Sequence, residues 1–253
     1  FPNPLLEQAL GRHTMPETAD AVAAELGLSR EACDAYALQS QQRFAAAQVA
    51  GVFAQEIVAV EVPQGRKVPP LSFAVDEHPR GDTTLASLQK LKPLFAGGVT
   101  TAGNASGIND GAAALLLGSR AAGERHGQAP LARVLSAAVV GVEPRLMGLG
   151  PVGAIEMALS RAGIGLAQVD LLEINEAFAA QVLGCLQRLG LQADDARVNP
   201  NGGAIAVGHP LGASGARLAL SAAHELHRRQ GRYAVVSLCI GVGQGIAVVL
   251  ESA

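Results

Sequence analysis

The run Asn199-Pro-Asn-Gly-Gly-Ala-Ile-Ala-Val-Gly-His-Pro-Leu-Gly-Ala-Ser-Gly-Ala-Arg217 sets a single histidine, His209, among glycines and prolines just ahead of a helical stretch. Glycines at this density weaken an ordinary helix or strand, because each brings backbone entropy that folding must remove. They suit a place where backbone approaches backbone or a ligand closely, or takes positive φ. Read alone, the run is a loop between two elements. A second glycine-rich run, Cys239-Ile-Gly-Val-Gly-Gln-Gly245, and a polar island at Asn175-Glu176 change that reading. Together the three make a candidate site.

Regular elements surround these islands. Val169 to Ile174 reads as a short strand, followed at once by a helix from Glu176 to Leu189 that Gly190 closes. Gly212 to Arg229 reads as another helix. Tyr233 to Cys239 and Ile246 to Leu250 read as apolar strands, joined too tightly for a crossover and therefore an antiparallel hairpin. Leu131 to Val140 reads as a buried strand, and Val152 to Ala162 as a helix with Gly163 behind it. Strands alternating with helices imply an α/β domain whose sheet is covered on both faces. Toward the start, Thr14-Met-Pro-Glu17 is a capping box that opens an alanine-rich helix stopped near Gly27. Ser29 caps a second helix running to about Ala50, with Gly51 as its stop. Glu56 to Val62 alternates like a strand. Pro63 to Gly98 is rich in proline, glycine and charge, and reads as an irregular exposed excursion of the kind that carries binding residues.

Composition excludes several classes. Hydrophobic residues make up 49% of the 253, which a disordered chain would not support. The net charge of −3 and the lack of a basic block give no footprint for nucleic acid. His224, His227, Arg228 and Arg229 complement the dipole at the end of a helix. No apolar run approaches a membrane span, and Phe1-Pro-Asn-Pro-Leu5 shows no basic end followed by an apolar core. Cys33, Cys185 and Cys239 are odd in number and lack metal-ligand spacing, so the expectation is a reduced, cytoplasmic protein with no metal.

Each island has a plain structural reading: Asn175 as a helix N-cap, His209 as a loop histidine, Cys239 as a small hydrophobe. Their conjunction points further. Residues leaving the carboxyl ends of strands in an α/β sheet collect in one crevice. A cysteine there, beside peptide N–H groups freed by glycines, can exchange protons, and those N–H groups can stabilise an oxyanion. A histidine and an asparagine amide add donors. The inventory suits chemistry at a thioester carbonyl and equally a Cys–His hydrolase, so the residues alone reach acyl chemistry.

Asn175-Glu-Ala-Phe-Ala179, the Gly202 to Pro210 run and Cys239 to Gly245 resemble, in order and spacing, the three C-terminal signature blocks of the thiolase family. Thr101-Ala-Gly-Asn-Ala-Ser-Gly-Ile-Asn-Asp-Gly111 resembles a fourth block. Within the family, Phe1-Pro-Asn-Pro4, Met15-Pro-Glu-Thr-Ala19, Asp76 to Thr84, Gly141-Val-Glu-Pro-Arg145 and Gln230-Gly-Arg-Tyr233 are similar to the 3-oxoadipyl-CoA thiolases. General acetyl-CoA acetyltransferases share most of the same blocks. The resemblance implies a thiolase-like α/β fold: a loop domain that binds coenzyme A over residues 1–103, a remnant of the N-terminal domain over 104–125, and a complete C-terminal domain over 126–253. It implies thiolytic cleavage of a 3-oxoacyl-CoA, coenzyme A as substrate rather than cofactor, and a homo-oligomer, a tetramer built as a dimer of dimers.

By the same resemblance, Cys239 is the acid/base cysteine. His209 activates the nucleophilic cysteine and, with Asn175 through a water, holds the thioester oxygen, and the Gly241 N–H serves a second oxyanion hole. Ser106 and Ala102 contact the pantetheine arm, Met15 and Phe178 line its tunnel, and Arg80 and Ser87 lie near the nucleotide end. One departure matters. The family's nucleophilic cysteine precedes the counterpart of Phe1, and neither Cys33, inside a polar helix, nor Cys185, on a core-facing helix, replaces it. The expectation is therefore a longer natural protein or a separate N-terminal piece, with this chain alone inactive. The sequence Ser106 to Arg120 would then be a helix and strand without their sheet, an exposed apolar surface.

Overall fold

The computed structural model describes residues 3–253, so Phe1 and Pro2 of the Phe1–Pro4 match lie outside the described residues. Three helices open the chain: α1 (Pro4–Leu10), α2 (Met15–Leu26) and α3 (Arg30–Val49). A hairpin, β1 (Val60–Val62) and β2 (Leu71–Phe73), and two small helices, α4 (Leu85–Gln89) and α5 (Arg120–His126), follow. Strands and helices then alternate as β3 (Ala132–Gly141), α6 (Gly150–Ala162), β4 (Leu171–Ile174), α7 (Ala179–Leu189), α8 (Ala204–Val207) and α9 (Ser214–Arg229). The hairpin of β5 (Tyr233–Ile240) and β6 (Gln244–Ser252) closes the chain.

The main sheet runs β3-β6-β5-β4, with β4 parallel to β5 and β6 antiparallel to both its neighbours. Successive strand residues point to opposite faces, and the packing follows that alternation. Val235, Ala247 and Val249 pack with Ile155 and Leu159 of α6. Ala234, Val236 and Leu250 pack on the other face with Leu218 and Leu226 of α9. Ala23 of α2 and Tyr36 and Ala37 of α3 join the α6-side core, so the opening helices are seated on the same apolar body.

Local chemistry sets the ends of these helices. The Glu17 carboxylate accepts from the Thr14 amide at 2.7 Å and its hydroxyl at 2.8 Å, which starts α2, and Gly27 stops it at φ +66°. Ser29 Oγ accepts from the Ala32 N–H at 3.2 Å and starts α3. Gly163 and Gly190 end α6 and α7 in the left-handed region.

Four expectations are corrected. The strand expected over Glu56 to Val62 is only β1, because Val52–Gln55 coils into a 3-10 turn and pairing exists only with the short β2. The helix expected from Glu176 begins at Ala179, with Phe178 extended at φ −148° in the N-cap position. Phe178 forms a bridge with Ala105 instead, the Ala177 carbonyl accepting from the Ser106 N–H at 3.0 Å and the Ala179 N–H donating to the Asn104 carbonyl at 2.8 Å, so Asn175 is not an N-cap. The stretch expected to hold a helix and strand between Ser106 and Arg120 has neither, since its apolar run has no neighbouring strand to share hydrogen bonds with. Ile108 and Leu116 there are 88% and 90% exposed. Finally, β3 is an edge strand rather than a buried one; Ala138 is its one buried residue.

Burial of the Glu173 carboxyl makes stability depend on pH. Glu173 of β4 is almost fully buried, and loss of solvent pushes its carboxyl up to about 8, with Arg217 opposing the shift and Glu176, Glu225 and Glu56 adding to it. An acid raised in the folded state favours the unfolded chain once that chain ionises. Its share of stability is therefore intact below about 4.5 and is lost as pH rises toward about 8. Glu173→Gln is expected to flatten that decline and to raise the urea midpoint at pH 8 while leaving it nearly unchanged at pH 4.5. Each tenfold change in the acid's ionisation equilibrium on folding is worth ~1.4 kcal/mol. Equal effects at both pH values would contradict this.

Candidate active site

Asn175 leaves the carboxyl end of β4 still in register with β5, its N–H donating to the Ser237 carbonyl at 2.9 Å. That ladder bond directs a fully buried side chain toward His209, and Asn175 Nδ2 lies 3.2 Å from His209 Nε2. The histidine is tied on its other side, where Nδ1 lies 2.6 Å from Ser214 Oγ. Ser214 has one hydroxyl proton and gives it to the Pro210 carbonyl at 3.0 Å. Its oxygen must then accept, so Nδ1 carries the proton and Nε2 presents a lone pair to Asn175. Ser214 is the residue that sequence reasoning missed. Its signal was the serine five residues after His209, at the first position of α9.

The His209 loop is held from behind as well. Its N–H donates to the Gly107 carbonyl at 2.8 Å. A Cβ on Gly208, which has φ +94°, would overlap the Asn109 side chain, so that glycine is required twice over. Burial is the main cause holding His209 below the usual histidine range, and the Arg217 charge adds to it. Asn175 Oδ1 is buried without a protein hydrogen-bond partner.

His209, Cys239 and Gly241 open on one cleft of about 1300 Å³. Cys239 sits at the end of β5 and is partly exposed to that space, yet its largely apolar surroundings push the thiol up to about 12. At neutral pH it holds its proton and can give it up. Gly241 lies in the hairpin turn, where a methyl group would come 3.9 Å from Met15 Sδ, so Met15 reaches that turn.

Met15, Phe178, Ala102 and Ser106 also line the cleft. Ser106 Oγ is already used, donating to the Ala177 carbonyl at 3.0 Å. Arg80 and Ser87 line the cleft farther along the excursion. The Ser87 hydroxyl is committed to the cap of α4, donating to the Thr84 carbonyl at 2.7 Å and accepting from the Thr84 N–H at 3.1 Å. The structure thus brings nine of the ten expected residues to one cavity, and Asn175 touches it through His209. Cys33 and Cys185 do not share it: both are fully buried, their thiols are raised by burial, and Cys185 donates to the Gly148 carbonyl. Among the described residues no cluster of side chains could hold a metal ion, and no helix is long and apolar enough to cross a membrane.

This arrangement offers an imidazole lone pair and an amide at one wall, and a protonated thiol beside a glycine turn at another. It can bind a carbonyl oxygen and move a proton at the adjacent carbon.

The family description "Thiolase, N-terminal domain" matches residues 3–121 and "Thiolase, C-terminal domain" matches residues 128–252. The chain is 58% identical over 252 residues to the 3-oxoadipyl-CoA/3-oxo-5,6-dehydrosuberyl-CoA thiolase of Escherichia coli strain K12, covering 99% of this chain and 63% of that protein. Its fold superposes on human mitochondrial 3-ketoacyl-CoA thiolase in complex with CoA with a TM-score of 0.89 at 50% identity, covering 94% of this chain and 59% of that one. The Bacillus anthracis acetyl-CoA acetyltransferase gives 0.91 at 42% identity, over 95% of this chain and 60% of that one. The chain therefore spans somewhat under two thirds of the relatives it matches.

Proposed function

The chain belongs to the thiolase family and has its fold, and on that premise we propose that it carries the oxyanion and proton-transfer half of a centre for thiolytic cleavage of a 3-oxoacyl-CoA, with 3-oxoadipyl-CoA as substrate. The observation that carries this reading is the Asn175–His209 pair opening on the same cleft as Cys239. In the reaction an acyl-accepting thiolate adds to the C3 carbonyl. The C2–C3 bond breaks, its electron pair passes to C2, and Cys239 gives its proton to that carbon as acetyl-CoA forms. The Cys239 thiolate then takes the proton of coenzyme A, whose sulfur attacks the acyl thioester and releases the shortened acyl-CoA. His209 Nε2 takes the proton of that acyl-accepting thiol and, so protonated, holds one thioester oxygen with Asn175 through a water, while the Gly241 N–H holds the other. Ser106, Ala102, Met15 and Phe178 line the pantetheine path, and Arg80 and Ser87 the nucleotide end.

The acyl-accepting cysteine is none of Cys33, Cys185 and Cys239, so we assign it to the part of the fold beyond this chain. We likewise keep the division into residues 1–103, 104–125 and 126–253, a cytoplasmic setting and assembly as a homo-oligomer, a tetramer. The 3-oxoadipyl assignment is supported by 58% identity to the Escherichia coli relative, against 51% over 247 residues to the acetyl-CoA acetyltransferase of Chromobacterium violaceum. The second reading, a non-catalytic coenzyme A-binding piece, is favoured by the two buried cysteines.

The test is coenzyme A-dependent loss of 3-oxoadipyl-CoA and of acetoacetyl-CoA, with the chain alone and with the N-terminal segment of a relative added. Turnover on addition, faster with 3-oxoadipyl-CoA, is expected. Equal or better use of acetoacetyl-CoA would remove the acyl assignment. Coenzyme A binding without turnover in either case would leave the second reading.

A further inference from the structure

Glu176, next to Asn175, does not reach the cleft, yet its carboxylate gathers four donors from two segments. Oε1 accepts from Tyr36 Oη at 3.0 Å and Asn199 Nδ2 at 3.1 Å. Oε2 accepts from Ser40 Oγ at 2.6 Å and the Ile205 N–H at 3.1 Å. Two of these donors stand on α3 and two belong to the run that leads to His209. Ile205 lies in α8, one turn of four residues, too short to hold its own shape. The turn is tied instead by its surroundings: Glu176 at the Ile205 N–H, Gln41 Nε2 at the Ile205 carbonyl (3.2 Å), and His78 Nδ1 at the Ala206 carbonyl (2.8 Å). Gly208 and His209 follow α8 directly. The glycines ahead of it make room for this arrangement, since a Cβ on Gly203 would lie 2.7 Å from Glu176 Oε2 and one on Gly202 would lie 2.8 Å from Phe44 N.

We infer that Glu176 is a positioning residue which fixes the Asn175–His209 separation, because one carboxylate is covalently next to the first and hydrogen-bonded to the turn that delivers the second. A glutamine cannot replace it. With its NH2 in place of Oε2, two donors face each other at the Ile205 N–H. Turned over, the NH2 faces Asn199 Nδ2. That amide cannot reverse, because Asn199 Oδ1 accepts from the Ile174 N–H at 2.8 Å while Nδ2 donates to the Ile174 carbonyl at 2.9 Å. Either way one buried donor loses its acceptor, and in the first orientation that donor is the Ile205 N–H of α8 itself.

The catalytic meaning of this inference rests on the proposed function, but its structural content does not, and the experiment separates the two. The 15N-labelled chain has six histidines, and His209→Gln assigns the signal of interest in long-range 1H–15N correlations. In the parent chain His209 should show a protonated Nδ1 and a bare Nε2. Glu176→Gln should move it toward a mixture of tautomers, as Ser214→Ala should by removing the Nδ1 acceptor. In the complemented enzyme, Glu176→Gln should lower kcat by about tenfold to a hundredfold with KM for coenzyme A within about twofold, the loss expected from a small misplacement. If Glu176→Gln does not fold, Tyr36→Phe and Ser40→Ala, each removing one donor, should produce the same shift in smaller measure. A folded Glu176→Gln, or the folded pair of donor variants, with an unchanged His209 signature overturns the inference. A shifted signature without turnover on any substrate leaves it standing and counts against the proposed function.

Discussion

Cys239→Ala is expected to lower thiolysis by about 10²–10⁴ in the complemented enzyme, the usual worth of a positioned acid/base group. The fold should be unharmed, since the side chain is small and partly open to the cleft. Its thiol, pushed up to about 12, is protonated throughout the neutral range and is the group able to give a proton to C2 as the bond breaks. Serine at this position should recover little, because a hydroxyl is a weaker acid still. His209 acts in the other sense. Its value lies below the ordinary 6.5, so it is neutral at pH 7 and its Nε2 lone pair faces Asn175. As pH falls through that lowered value the ring takes a proton on Nε2 and the arrangement is lost. The rate should therefore hold from neutral to mildly alkaline pH and fall on the acid side. A Cys239→Ala variant within tenfold of the parent would remove the cysteine from the chemistry.

Sequence carried the elements whose signals are local. The αL glycines, the capping box at Thr14 and the tight β5–β6 turn each announce themselves within a few residues. His209, Asn175 and Cys239 were legible as a site because each sits at the end of a strand or beside a glycine-rich turn. The residues that place them were not. Glu176 lies 136 residues from Ser40 and 140 from Tyr36, and no local pattern shows that they meet. Asn175 after a strand looks like an N-cap, and only the bridge of Phe178 with Ala105 shows that three more residues intervene before α7. The apolar run near Leu116 carries strand propensity, but propensity has no outlet without a partner strand. Cys33 shows the reverse case: its sequence neighbours are polar, yet α3 turns it fully inward.

Gly245→Ala is expected to destabilise the fold by about 3 kcal/mol or more, at or beyond the upper end of ordinary overpacking. At this point β6 starts beneath the first turn of α6, and two backbones meet with no side chain between them. A Cβ on Gly245 would lie 2.6 Å from the Gly150 Cα and closer still to its carbonyl, and one on Gly150 would lie 2.7 Å from the Gln244 carbonyl carbon. A flexible side chain could swing away from such an overlap, but backbone inside a helix and a strand cannot. Relief would require α6 to lift off the sheet, drawing Ile155 and Leu159 from the core they share with Val235 and Val249. Against a total stability of ~5–15 kcal/mol, that loss should lower the urea midpoint sharply with little change in slope. Gly163→Ala provides the contrast. Its Cβ would meet nothing within 4 Å, so only the strain of φ +71° is felt, and its loss should be about 1 kcal/mol. If the two variants unfold at the same urea concentration, backbone contact at Gly150 and Gly245 is not what holds α6 on the sheet. The glycines flanking Cys239 would then have to be explained by the cleft alone.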